Sequence, residues 1–132
     1  RAWQLAALSE KVAATAVISW FGTWNGLMQP GNNVLRGQSA FYMLHPGVSA
    51  RLDIPDIASI AAPKPMLIYS GGQDKLFPPQ AVEEAFNKVH KVWASQQAQD
   101  KLVTRSWPEL GHVFYQQQQD EVFPWLDKWL KP

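Results

Sequence analysis

The stretch PMLIYSGGQDKLFPP, Pro65 to Pro79, decides how the rest of the chain is read. Its first half is apolar without alternation, the pattern of a strand covered by helices on both faces of a parallel sheet. The run stops at Gly71 and Gly72, and Asp74 follows at once. In open α/β sheets, functional groups gather at the carboxyl ends of the strands, so Asp74 stands where such a group is expected. Pro78 and Pro79 then open a helix, at the position where a missing N–H costs nothing.

Working outward, Val12–Trp20 (VAATAVISW) and Lys101–Pro108 (KLVTRSWP) are two further runs of strand length. The first is mostly apolar and β-branched. The second alternates Leu102, Thr104 and Ser106 against Val103, Arg105 and Trp107, which suits a sheet edge. Residues 78–97 predict a helix with Val82, Ala85, Phe86, Val89 and Trp93 as its buried stripe and with Glu83 and Glu84 favouring the dipole of the first turn. Residues 116–132 predict a last helix that turns Phe123, Leu126, Trp129 and Leu130 inward, with Pro124 kinking it or marking its start. Strand, helix, strand, helix is an α/β rhythm. Residues 21–64 break it: they are rich in Gly, Pro and Asn, with short helical pieces near 33–44 and 54–60. A connection of that length reads as a lid or binding insertion within a single domain spanning 1–132.

Composition narrows the function classes. Of 132 residues, 46% are hydrophobic and 17% charged, which describes a globular chain with a core. A net charge of +1 with scattered lysines and arginines gives no electrostatic ground for nucleic acid as a partner. No apolar run approaches the ~20 residues that span a bilayer, and no membrane partner is expected. There is no cysteine, hence no disulfide and no cysteine-held metal. The opening RAWQLAAL has apolar residues at helical spacing but nothing ahead of it to cap a helix, and no initiator methionine. It reads as the interior of a helix, and the sequence as a piece of something longer.

The residues able to do chemistry come from the strand ends. The third strand run leads into WPELGHVF, which sets His112 on a loop at the same sheet edge as Asp74. If the two strands are neighbours, the carboxylate can fix the tautomer and orientation of an imidazole acting as a base. The competing readings are an Asx-turn for Asp74 and a solvated loop histidine for His112. The chain order Asp then His is the order in α/β-hydrolases, and it favours the catalytic reading. Trp20 and Trp24, in SWFGTWNG, sit where the first strand ends. They are candidates for lining an acyl pocket or stacking on a sugar ring, against the alternative that they pack the insertion onto the sheet.

The stretch PDIASIAAPKPMLIYSGGQDKLFP, a helix, and then WPELGHVF together resemble the C-terminal part of the dienelactone-hydrolase-like and acetyl-xylan-esterase-like branch of the α/β-hydrolase superfamily. RAWQLAAL is similar to that family's helix just beyond the nucleophile elbow. The resemblance implies the C-terminal half of an α/β-hydrolase fold, with about three parallel strands, flanking helices and a lid-like insertion. It also implies a serine esterase, of a kind often bacterial and exported, acting on an ester such as an acetylated carbohydrate, with Asp74 as triad acid and His112 as triad base. No cofactor or metal is implied. The Gly-x-Ser-x-Gly elbow and the oxyanion donors that go with it are absent from residues 1–132.

Ser39, in GQSAF, offers half of an elbow and the right chain order. It follows a polar loop and not a strand, however, and Phe41 stands where the second glycine must let backbones approach. Ser9, Ser19 and Ser70 have less context still. His45 and His90 read as structural or solvated, and Asp53 and Asp56 as caps of the helix at 54–60. Met28, Met43 and Met66 have no ligand spacing. The expected reading is therefore the acid and base of a serine esterase whose nucleophile lies outside this sequence. The alternative is a non-catalytic or interaction module that pairs, through the exposed edge of the Val12–Trp20 strand, with the missing N-terminal half or with a second copy.

Overall fold

The computed structural model describes residues 1–32 and 47–131. The helical piece expected near 33–44, with Ser39, Phe41, Met43 and His45, lies outside the described residues. The described chain runs α1 (Ala2–Leu8), β1 (Thr15–Ile18), α2 (Trp24–Leu27), α3 (Ile54–Ala58) with a 3-10 turn at Ser59–Ala61, β2 (Met66–Gly71), α4 (Pro79–Ser95), β3 (Leu102–Trp107) and α5 (Gln116–Leu130). The three strands form one parallel sheet in the order β1-β2-β3. Thr15 stands opposite Met66 and Met66 opposite Leu102, so all three strands end at the same edge.

β2 is buried at every residue, as an unbroken apolar run requires. Its side chains alternate between two cores. Met66 and Ile68 join Val17, Leu102 and the apolar faces of α1 to α4 on one side of the sheet. Leu67 and Tyr69 meet Trp107 and Val122 on the other, beneath α5. β3 is the edge strand that its alternation predicts: Leu102 and Trp107 are buried, while Arg105 and Ser106 are exposed. At the opposite edge β1 is short, covering Thr15–Ile18 of the Val12–Trp20 run.

The long helix α4 buries Ala81, Val82, Ala85, Val89 and Trp93, with Phe86 half-buried. Pro79 occupies the first turn, and no acidic residue lies there. Glu83 and Glu84 come a turn too late to serve the dipole, and Glu84 instead accepts a hydrogen bond from the Thr23 hydroxyl at 3.0 Å. Both ends of the 21–64 segment are built into the core: Phe21, Leu27, Ile54, Ala58 and Ala61 are fully buried. Asp53 and Asp56 form the expected cap of α3. Asp53 Oδ1 accepts from Ile54 N and Asp56 Oδ2 from Asp53 N, and Asp53 Oδ1 also accepts from Trp24 N, tying α2 to α3.

α5 departs from expectation in its rotation. It starts at Gln116 and continues through Pro124, so the proline does not mark its beginning. Gln118 and Val122 are buried, while Phe123 and Leu130 are each 54% exposed. The cause lies in its first two turns. Gln118 Oε1 accepts from Tyr115 N at 2.9 Å, and Glu121 receives the Tyr69 hydroxyl at 2.6 Å and Arg105 Nη1 at 2.7 Å. The first caps the helix, and the contacts of Glu121 tie it to β2 and β3 ahead of the apolar residues. Burial, and then the hydrogen bond to Glu121, pushes the Tyr69 phenol well above its ordinary pKa. The same hydrogen bond, together with Arg105, holds the Glu121 carboxyl below the usual carboxylate range.

Candidate active site

The site forms where β2 and β3 end. Beyond β2, Gly72 N donates to Trp107 O at 2.8 Å and Gln73 N to Leu110 O at 2.9 Å, lacing the two loops together. Gly71 is needed for this close approach. A Cβ there would lie 2.2 Å from Gly111 O and 2.4 Å from Leu110 O, both backbone atoms with no freedom to yield. At the far side Gly111 O accepts from Val113 N at 3.0 Å, a tight turn with His112 at its centre.

The two predicted residues meet. Asp74 Oδ2 lies 2.8 Å from His112 Nδ1. The Asp74 side chain is fully buried and that of His112 is 42% exposed. Asp74 Oδ1 accepts from Leu76 N at 2.8 Å, so the Asx-turn and the carboxylate–imidazole bond coexist, one on each oxygen. A carboxylate oxygen accepts, so Nδ1 is the donor of this contact, and in the neutral imidazole Nε2 then carries the lone pair. That is the tautomer of a general base. Among the described residues, nothing hydrogen-bonds to Nε2.

Aromatic packing steadies the imidazole. The fully buried Phe77 ring stacks on it with centroids 6.1 Å apart and planes 16° apart. Trp20 packs on Phe77 in turn, with centroids 5.4 Å apart and planes tilted by 58°. Trp20 is half-buried and also lines a cavity of about 680 Å³ along the β1 edge, with Trp3, Val17 and Ile18. Trp24 is different. It is 7% exposed and belongs to the core, so it offers no face for a sugar ring, because the first turn of α2 points it inward. His90 bonds the Thr104 hydroxyl at 2.7 Å on the surface, a structural role. No group of three or more histidine, cysteine or acidic side chains arranged for a metal occurs among the described residues.

Sequence reasoning missed three contributors. Phe77 carries no polar group and stands in the sequence only as one apolar residue of KLFPP. The packing of Gly71 against the His112 loop depends on strand order. Ser19, set aside as lacking context for a nucleophile, ends β1 at φ +53° with its hydroxyl donating to Val113 O at 3.1 Å.

No protein-family model and no curated protein matches the chain. Among solved structures it is similar to a carbohydrate esterase family 15 glucuronoyl esterase from Caldicellulosiruptor kristjansonii, with a TM-score of 0.73 and 15% identity over 98% of this chain and 40% of that one. It is likewise similar to a glucuronoyl esterase catalytic domain from Hypocrea jecorina, with a TM-score of 0.71 and 15% identity over 98% of this chain and 41% of that one. Acyl-protein thioesterase 2 from Zea mays matches with a TM-score of 0.52 and 15% identity over 96% of this chain and 48% of that one. The chain spans less than half the length of each of these structures. The likeness defines the fold: the three-stranded parallel sheet and its helices correspond to the C-terminal half of an α/β-hydrolase domain.

Proposed function

We propose that residues 1–132 supply the acid–base pair of a serine-type carboxylic ester hydrolase, and that its nucleophile is carried by polypeptide outside these residues. The observation that carries the reading is the 2.8 Å contact between a buried carboxylate and a solvent-facing imidazole at the carboxyl ends of adjacent parallel strands. In the proposed reaction, His112 Nε2 takes the proton of a serine hydroxyl as its oxygen attacks the ester carbonyl. The C–O bond to the alcohol then breaks, and His112 returns the proton to that leaving oxygen. Water repeats the sequence on the acyl-enzyme and releases the acid. Asp74 holds the tautomer throughout and stabilises the imidazolium that forms transiently.

A carbohydrate ester is the substrate class favoured here. The half-buried Trp20 packs on Phe77, the ring that stacks on the imidazole, and two of the similar structures are glucuronoyl esterases. The test is hydrolysis of a short-chain aryl ester. A longer polypeptide that includes an elbow serine should turn over and lose activity with His112→Ala, whereas the 132-residue chain alone should stay at background. Hydrolysis by the 132-residue chain that Ser39→Ala abolishes would overturn the assignment of an outside nucleophile.

A second reading is favoured by the sheet edge. Among the described residues β1 pairs only with β2, and its outer edge borders the cavity lined by Trp3, Val17, Ile18 and Trp20. An unpaired apolar edge invites another strand, from the remaining half of the domain or from a second copy. Sedimentation of the isolated chain should then show a dimer or larger species. A clean monomer would count against edge pairing.

A further inference from the structure

We propose that Ser19 is a positioning residue for His112, acting through its hydroxyl on the peptide that follows the imidazole. The proposal rests on reading Asp74 and His112 as the acid–base pair.

Ser19 is 4% exposed and lies at the carboxyl end of β1, with its N–H completing the β1–β2 ladder by donating to Tyr69 O at 2.8 Å. Its φ of +53° is in the left-handed region, where a side chain is strained and glycine would be at ease. A residue that did nothing beyond ending the strand would gain by being glycine. The serine hydroxyl is the feature glycine lacks, and it is used: Oγ donates to Val113 O at 3.1 Å, joining residues far apart in the chain.

The loop around His112 is held at three places, its entry, its centre and its exit. Its entry is fixed by Gln73 N on Leu110 O and by Leu110 N on Trp107 O, at the ends of β2 and β3. Its centre is fixed by Asp74 on Nδ1. Its exit is Val113, whose N–H closes the tight turn onto Gly111 O and whose carbonyl accepts from the Ser19 hydroxyl. Without that hydroxyl, β1 no longer grips the exit of the turn. The imidazole then gains freedom to leave the plane in which Nδ1 meets Asp74 and in which Phe77 stacks.

The test compares two variants in 15N-histidine-labelled protein. Ser19→Ala removes the hydroxyl and keeps the strain. Ser19→Gly removes the hydroxyl and relieves it. The wild type should show a slowly exchanging, downfield Nδ1 proton on His112. In both variants that proton should exchange about fivefold faster, the factor carried by one hydrogen bond of typical net strength, although Ser19→Gly unfolds at a higher temperature than Ser19→Ala. If Ser19 were merely structural, exchange would follow stability, and the glycine variant would resemble the wild type. That result, or a wild-type signal in both variants, overturns the proposal while leaving the Asp74–His112 pair intact. If the wild type itself lacks the protected proton, the acid–base reading fails, and the role of Ser19 fails with it. Should the alanine variant not fold, the glycine variant alone decides by the same signal.

Discussion

Replacing Gly71 by alanine should disable the site with a single methyl group. The added Cβ would meet Gly111 O at 2.2 Å and Leu110 O at 2.4 Å, whereas Cβ contacts under 3.0 Å are essentially never seen. Both obstacles are backbone atoms, so no rotamer change relieves them, and the His112 loop must retreat by close to an ångström. The Asp74–His112 contact of 2.8 Å would then open beyond hydrogen-bonding range. Overpacking of this kind costs about 1–3 kcal/mol, and the upper end applies here because the clash is with main chain. A misplacement of about 1 Å also costs catalysis on the order of a hundredfold. Gly111→Ala is the control. A Cβ there meets only Gln73 O at 3.8 Å, an ordinary contact, and its effect should be small. Urea denaturation gives the stability difference, and the His112 Nδ1 proton reports the geometry. A Gly71→Ala protein as stable as Gly111→Ala, with the wild-type proton signal, would refute the argument from close approach.

Other outcomes follow from the same geometry. Asp74→Asn puts an amide where the carboxylate accepts and permits the wrong tautomer. In a polypeptide that includes the nucleophile, kcat should fall by on the order of 10⁴-fold, measured by aryl ester turnover. Tyr69→Phe should change the alkaline limb of stability. The unfolded chain gives up its phenolic proton from about pH 10 while the folded chain keeps it, so stability falls as pH rises, by up to about 1.4 kcal/mol per pH unit. Urea melts of the Phe variant above about pH 10 should show a shallower decline than the wild type, and an equal slope would remove Tyr69 from the account. At the acid end, the depressed Glu121 carboxyl contributes stability that is present above its ordinary value and lost as pH falls. Glu121→Gln should flatten that limb.

Much of this was legible in the sequence because burial leaves a plain pattern. β2 shows as an unbroken apolar run because both its faces are covered, and the Asp74 and His112 loops could be matched because each follows a strand of the same sheet. What was not legible depends on geometry that residue type does not encode. Phe123 and Leu130 look like an inner face, yet α5 is tied to the sheet by Glu121 gripping Tyr69 and Arg105, and both apolar residues stay exposed. Trp24 and Trp20 are equally aromatic, and only the first turn of α2 sends one into the core while the other stays half-buried beside Phe77. A left-handed serine carries no mark in the sequence at all.

The contrast in burial between the two partners bears on why such a pair exists. A carboxylate with no exposed surface gives up its hydration, and a single imidazole at 42% exposure is a weak partner to repay that loss. A surface ion pair for stability would be better built as Arg105 with Glu121 is, both half in water and doubly bonded. Asp74 is instead satisfied on one oxygen by its own loop and committed on the other to holding Nδ1, and among the described residues Nε2 takes no hydrogen bond. Around it, Gly71 gives up a side chain and Ser19 accepts a strained backbone, each departing from what local preference favours. On the proposed acid–base reading, such departures converging on one imidazole are what fixing a reactive group requires of the fold.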